Sequence, residues 1–265
     1  MLSVPALVLG GAAVCIRVGA SPLWALGLLL APGVLADLLR CGPEVLGSAL
    51  IAAGLMWWFR RDASPLPAVV CFALAGLARE TLLLVPLVLF AAEWWSVRRL
   101  TGSRPTERPL VEGPTGARQG LQWCLLGAVV PYVTWVTMLR VGLGAWPEGS
   151  VGGRLSIVPF AGLVEAAGSW RRDEVLVAAL VLLPAIAALV LPGDNRLRIL
   201  VGAHLLLAAG LGAPVWMRYL DFSRVLLPLG LVSLLAIASG HRRPATTTAP
   251  QVGGETDAVD YLVVG

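Results

Sequence analysis

Lysine is absent from this 265-residue chain, and all 20 of its basic residues are arginine. Charged residues of both signs make up only 14% of the sequence, against roughly 25% in an ordinary soluble domain. Hydrophobic residues reach 57%, which is more apolar surface than one soluble core could bury. The composition therefore predicts an integral membrane protein. The net charge of +4 does not indicate nucleic-acid binding, because the arginines lie in short loops between apolar runs, as cytoplasmic anchors do.

Residues that bind metals or carry out soluble-enzyme chemistry are also scarce. The four cysteines show no CxxC spacing, and two histidines cannot form a multi-histidine metal site. His204 lies within an apolar run, where we expect a hydrogen-bonded interior residue rather than a proton relay. The sequence contains no P-loop, no GxSxG, no HExxH and no dinucleotide fingerprint. These absences exclude the common soluble-enzyme classes and leave the cofactor unknown, with a divalent metal ion still open.

Apolar runs follow one another along almost the whole chain. A membrane span needs about 20 residues, and several of the runs are shorter, at about 14 residues and roughly 21 Å. We therefore expect a bundle of about eight to nine short spans over residues 1–240, followed by a disordered cytoplasmic tail at 241–265. The runs lie at about 2–16, 23–36, 45–59, 66–78, 82–96, 121–139, 175–191, 199–216 and 225–239.

The arginines orient these runs in the membrane. Arg60-Arg61 and the basic connection at about 97–120 are the best cytoplasmic segments. Both can be inside only if the chain passes twice between them, which places a hairpin turn at Arg79-Glu80 on the outer face. The same map places the 140–174 segment outside, and within it we expect an interfacial helix over 157–170 with Trp170 at headgroup level. An ordinary outer loop is the alternative for that segment.

This map puts Met1 on the outer side with no span before it. A chain that lacks its first helix and first outer loop would begin in this way.

The predicted outer face carries many charges. An ionised residue in an apolar sequence costs several kcal/mol unless it is paired, solvated or used. Arginines beside carboxylates predict a polar cavity for an anionic ligand, and the planar guanidinium suits a phosphate. Ordinary ion pairs at helix ends are the alternative for each residue taken singly. The charges are Asp37, Arg40, Glu44, Arg79, Glu80, Arg140, Arg154, Arg171, Arg172, Arg218, Asp221 and Arg224.

Several short motifs together resemble a known family. They are Ala78-Arg-Glu-Thr81 with Pro86, Val158-Pro-Phe-Ala-Gly-Leu163 and Arg224-Val-Leu-Leu-Pro228, preceded by a stretch from Pro22 to Glu44. In this order they resemble a bacterial polytopic cell-surface glycopolymer formation family over about residues 20–240. That family is similar to GT-C glycosyltransferases, which use polyprenyl-phosphate sugars as donors.

The resemblance implies an inverting sugar transfer to a glycan or glycolipid acceptor at the outer face of the bacterial plasma membrane. Arg79, Arg224 and Arg218 would bind the donor phosphate, and Glu80, Asp221 and Glu44 are the candidate catalytic carboxylates. Glu80 would orient an arginine or the acceptor; from the sequence alone it could equally be only the counter-ion of Arg79. The acidic residue that such enzymes carry in their first outer loop has no match here.

Two other classes of function remain open from the sequence. A transporter or flippase could move an anionic lipid or solute past the same arginines, although no convincing internal repeat supports it. A non-catalytic membrane scaffold is the third possibility, and the missing acidic loop favours it.

Overall fold

The computed structural model describes residues 2–40, 42–60, 64–102, 123–144 and 155–241. Within these ranges the chain is helical and forms no β-strand, apart from an isolated bridge between Leu155 and Leu211. The expected all-α class is therefore confirmed. The tail at 242–265 and the loop residues 103–122 and 145–154 lie outside the described residues.

The α-helices follow the apolar runs of the sequence. Two 3₁₀ helices, Pro22–Leu30 and Glu80–Leu83, precede α2 and α5 respectively. The α-helices are α1 (Ser3–Arg17), α2 (Pro32–Arg40), α3 (Glu44–Trp58), α4 (Leu66–Ala78), α5 (Leu84–Gly102), α6 (Val130–Leu143), α7 (Ala161–Ala167), α8 (Arg172–Val190), α9 (Asn195–Ala209), α10 (Ala213–Trp216), α11 (Tyr219–Val225) and α12 (Leu227–Gly240).

Two helices in the described ranges are long and apolar enough to cross a membrane. They are Trp123–Leu143, with 21 residues, and α8, with 19 residues. The number rises to four if the 3₁₀ helix with α2, and α11 with α12, each form one bent span. Helices α1, α3 and α4 are apolar but have only 13 to 15 residues. Length and composition therefore support two to four spans among the described residues, and the count of eight to nine stays a prediction.

Large apolar side chains cover much of the outer surface of the bundle. No residue of α6 is buried, and side chains such as Leu30, Val141 and Leu206 are 76–84% exposed. Soluble proteins rarely expose contiguous apolar patches of this kind. A lipid-facing exterior accounts for them.

One apolar run is divided by a bend, and a second bend precedes another run. In the 23–36 run the 3₁₀ helix ends before Ala31, which is extended, and α2 starts with Pro32 at its first position. Proline suits that position because the first N–H of a helix has no intrahelical partner. The two pieces meet at 57°, and α11 meets α12 at 54°. The 23–36 run is therefore a bent element, whereas the 225–239 run forms the single helix α12, which follows a bend after α11.

The chain also breaks at Arg79, as the charge pattern predicts. Helix α4 ends at Ala78, and Arg79 is extended, with φ −160° and ψ 127°. Leu83 then packs over Gly76, where a Cβ would collide with its side chain. The Glu80–Leu83 helix therefore folds back against the last turn of α4, and 66–95 is not one continuous helix.

Side-chain contacts define two ends of the bundle. At one end, Arg196 Nη2 lies 2.8 Å from Glu93 Oε1, and the rings of Trp24 and His241 are 5.2 Å apart. We call this the Arg196 end. The opposite end, described below, gathers around Glu44 and is called the Glu44 end. In the core between the ends, His204 is buried and its Nδ1 donates to Leu200 O at 2.8 Å, as expected of an interior histidine.

The segment expected to hold the interfacial helix is only partly helical. Helix α7 covers seven residues, and Phe160 before it is left-handed, with φ 62°. Gly162 lies directly on the backbone of Leu211 and Gly212, where a Cβ would collide. The segment is thus packed against the chain around α10, whichever side of the membrane it faces.

Candidate functional site

The Glu44 carboxylate is the most deeply buried charge at the Glu44 end. Glu44 is the first residue of α3 and only 1% exposed. Pro43 before it provides no side-chain cap for the helix. Asp37 of α2, which is 3% exposed, caps the helix instead. Its Oδ2 accepts from Val45 N at 2.8 Å and its Oδ1 accepts from Glu44 N at 3.4 Å. The first-turn N–H groups of α3, which would otherwise lack partners, are satisfied in this way.

One oxygen of Glu44 holds two arginines from distant parts of the chain. Glu44 Oε1 accepts from Arg79 Nη1 and lies 3.3 Å from Arg224 Nη2. Arg79 comes from the break after α4, and Arg224 from the last turn of α11. Their side chains are 22% and 21% exposed. The carboxylate thus forms a buried floor, and the two guanidinium groups lie above it with part of their surface open.

The cluster of Glu44, Arg79 and Arg224 has hydrogen-bonding groups that the surrounding residues do not pair. Glu44 Oε2, the Nε atoms of Arg79 and Arg224, Thr81 Oγ1 and Ser48 Oγ are buried without a hydrogen-bond partner among the described residues. Native structures satisfy nearly all buried polar groups with protein or water. Two of these groups are cationic donors, so the region retains hydrogen-bonding capacity beside the ion pairs.

Helix α2 connects the cluster to α11. Gly33 lies against Ser223 O, where a Cβ would collide with that backbone oxygen and approach Leu227 Cβ to 3.0 Å. Two turns further along α2, Arg40 pairs with Asp221 of α11, and both side chains are about one-third exposed. Gly33, Asp37 and Arg40 are spaced by four and three residues, so they share one face of α2. That face holds α11, and with it Arg224, beside the start of α3.

Two of the predicted site residues make no ion pair or side-chain hydrogen bond within the described part of the chain. Glu80 and Arg218 are exposed, and the described residues provide neither side chain with an ion-pair or hydrogen-bond partner. The counter-ion of Arg79 is therefore Glu44 rather than its neighbour Glu80. Of the other predicted outer charges, Arg140 Nη1 donates to Gly144 O at 2.8 Å, and Arg154 lies outside the described residues.

An aromatic group joins the segment before α8 to the same end. Trp170, Trp216 and Phe222 lie 5.4–6.3 Å apart between ring centroids, and Trp170 Nε1 donates to Trp216 O at 2.9 Å. Phe222 is next to Asp221 in α11. The tryptophan expected at headgroup level is half-buried against this group, so the α7 segment packs against α11, the helix that carries Arg224.

Sequence reasoning did not identify the role of Asp37. It appeared only as one outer charge among twelve, and nothing in a single sequence shows which helix start a carboxylate caps from another helix. The sequence Gly42-Pro43-Glu44 gave a partial signal. The residue before the helix is a proline, whose side chain has no atom that could accept a hydrogen bond from the first turn.

The arrangement suits an anion better than a cation. Two guanidinium groups offer several N–H donors toward one partly open surface, which matches phosphate oxygens. Among the described residues, no group of three histidine, cysteine, aspartate or glutamate side chains could hold a metal ion. Searches against protein-family models, curated proteins and solved structures gave no match for the chain.

Proposed function

We propose that this chain is a multi-pass protein of the bacterial plasma membrane that binds a polyprenyl-phosphate sugar at the Glu44 end and transfers the sugar to a glycan or glycolipid acceptor. The Glu44 end would then face outward, and the shorter helices α1, α3 and α4 would cross the bilayer where it thins or inside the bundle. The protein would be a GT-C-like glycosyltransferase of cell-envelope glycopolymer assembly.

The observation that carries the proposal is the convergence of Arg79 and Arg224 on one buried carboxylate oxygen. Charged side chains at membrane depth are costly and usually mark a functional site. Glu44 pairs with two arginines, which are held together although their charges repel. The fifth of each arginine side chain that is exposed supports a phosphate as the ligand.

The three candidate carboxylates differ in their fitness as a base. Glu44 and Asp221 each have a carboxylate oxygen engaged by an arginine. Glu80 is exposed and adjacent to Arg79. We assign it the base: the acceptor hydroxyl loses its proton to Glu80 as its oxygen bonds to the anomeric carbon. The carbon–oxygen bond to phosphate breaks, and the arginines stabilise the charge that develops on the leaving polyprenyl phosphate.

Arginine removal tests the binding half of this proposal. Arg79→Ala and Arg224→Ala should each weaken binding of a polyprenyl monophosphate in detergent micelles by about 10- to 100-fold, the usual effect of losing a charge-assisted hydrogen bond. Both variants should still insert into the membrane and should abolish lipid-sugar-dependent glycopolymer synthesis.

The matched control is Arg196→Ala, which removes an arginine from an ion pair at the opposite end. It should bind the lipid as the wild type does. Wild-type affinity in the Arg79 and Arg224 variants would refute the proposal.

A transporter or flippase for an anionic lipid is the second candidate, and the bent helices favour it. Discontinuous helices next to a polar site are typical of transporters. Both bent pairs supply charged residues at the Glu44 end, Asp37 in α2 and Arg224 in α11. Purified protein in vesicles separates the two functions. Movement of a labelled polyprenyl phosphate between leaflets without a sugar product would favour transport.

A further inference from the structure

We propose that Asp37 is a positioning residue of the phosphate site and acts on the two arginines through Glu44. The inference depends on the proposed function, because it concerns how the same site is organised. It assigns Asp37 no contact with the ligand.

The first step is the geometry at the start of α3. Both carboxylate oxygens of Asp37 accept from consecutive backbone N–H groups, those of Glu44 and Val45. The position and direction of the first turn of α3, and therefore of the Glu44 side chain, depend on a residue of another helix. Pro43, the preceding residue, makes no competing cap.

The second step is the contact between the two carboxyl groups themselves. A Cβ on Gly42 would collide with both Asp37 Oδ1 and Glu44 Oε2, so these oxygens flank the same point of the chain. Glu44 Oε2 has no donor among the described residues. Both arginines meet the other oxygen, Oε1, so the two oxygens of Glu44 face different neighbours.

The third step is that Asp37 is tied to the second arginine as well. Its helix is docked on α11 by the close approach at Gly33 and by the Arg40–Asp221 ion pair. Asp37 therefore connects the helix that carries Glu44 to the helix that carries Arg224. The guanidinium groups of Arg79 and Arg224 are thereby held at a fixed spacing. In that arrangement they can bind two oxygens of one phosphate.

A double-mutant cycle on ligand affinity distinguishes this role from a merely structural cap. The variants are Asp37→Asn, Glu44→Gln and the double substitution, with Asp37→Ala as the more severe change. Asparagine keeps one acceptor oxygen for the backbone but loses the charge. The probe is a polyprenyl monophosphate in detergent micelles, and thermal unfolding is followed in parallel.

We expect Glu44→Gln to weaken binding by about tenfold, a size typical of residues in one network. Asp37→Asn should weaken it less than Asp37→Ala, and Asp37→Asn should add little in the Glu44→Gln background. Leu55→Ala, which opens a cavity in the same helix away from the cluster, should lower stability and leave affinity unchanged.

Additive effects of the two substitutions on affinity would overturn the inference, and so would tighter binding in Glu44→Gln, since Glu44 would then compete with the ligand. Those results would leave the proposed function standing if Arg79→Ala still loses affinity. Absence of lipid binding by the wild type would reject both.

Discussion

At the scale of single residues, the cluster combines two kinds of ion pair that differ in burial. Glu44 is almost fully enclosed, whereas Arg40 and Asp221 are each about one-third exposed. Removing one partner of a buried pair leaves an uncompensated charge in a poorly solvated place, while exposed pairs contribute little because water and salt screen them. The two pairs should therefore respond very differently to mutation.

We expect Glu44→Ala to lower the free energy of unfolding by about 2–4 kcal/mol, because it leaves Arg79 and Arg224 together without their counter-ion. Asp221→Ala should lower it by less than about 1 kcal/mol. Unfolding of both variants in mixed detergent micelles measures the difference. Equal losses would show that Glu44 is better solvated than the structure indicates.

Glu80 provides a second prediction at this scale, since it is the one candidate carboxylate that is exposed and unpaired among the described residues. Glu80→Gln should lower the rate of sugar transfer by about 10²- to 10⁴-fold, the usual contribution of a general base. Affinity for the polyprenyl phosphate should not change. Steady-state transfer with a lipid-linked sugar measures the rate, and a fully active variant would remove Glu80 from the mechanism.

At the scale of helices, sequence reasoning succeeded where charge interrupts an apolar run. It predicted the break between 66–78 and 82–96, because Arg79 and Glu80 cannot lie in the middle of a continuous apolar helix at low cost. It missed the change from 3₁₀ to α-helix before Pro32 and the separate helix α11. Apolar periodicity does not distinguish a straight helix from a bent pair, and the bends depend on packing against other helices.

Helix α2 illustrates that dependence, and Gly33 is the position where it can be tested. A side chain there would collide with Ser223 O of α11, and overpacking typically costs about 1–3 kcal/mol. We expect Gly33→Leu to reduce the melting temperature and to weaken lipid binding, since α11 carries Arg224. Gly202→Leu, at a helical glycine with open space around it, is the control and should change neither property.

At the scale of the whole molecule, the sequence predicted the helical class and the grouping of charged residues better than it predicted which charged residues form ion pairs. Composition alone indicated an all-α membrane protein, and the arginine map named Glu44, Arg79 and Arg224 among the charges of one face. It did not predict that Glu44 rather than Glu80 would meet Arg79, because residues 35 positions apart are brought together only by helix packing. The count of eight to nine spans stays a prediction, because helices of 13 to 15 residues are shorter than the roughly 20 residues that cross an average bilayer.

The orientation of the molecule in the membrane is the claim on which the proposed function depends. A donor bound at the outer face requires the Glu44 end to be outside and the Arg196 end inside. Exposed residues are present at both ends, Glu80 at the former and Asn195 at the latter, so single cysteines can report each side independently. The background for this experiment lacks the native Cys15, Cys41, Cys71 and Cys124.

Labelling with a membrane-impermeant maleimide on intact cells and on inverted vesicles is the most direct test. The account predicts that Glu80→Cys reacts only in intact cells and that Asn195→Cys reacts only in inverted vesicles. Reaction of Glu80→Cys only from the cytoplasmic side would contradict it, since the arginine pair would then face away from a donor at the outer surface.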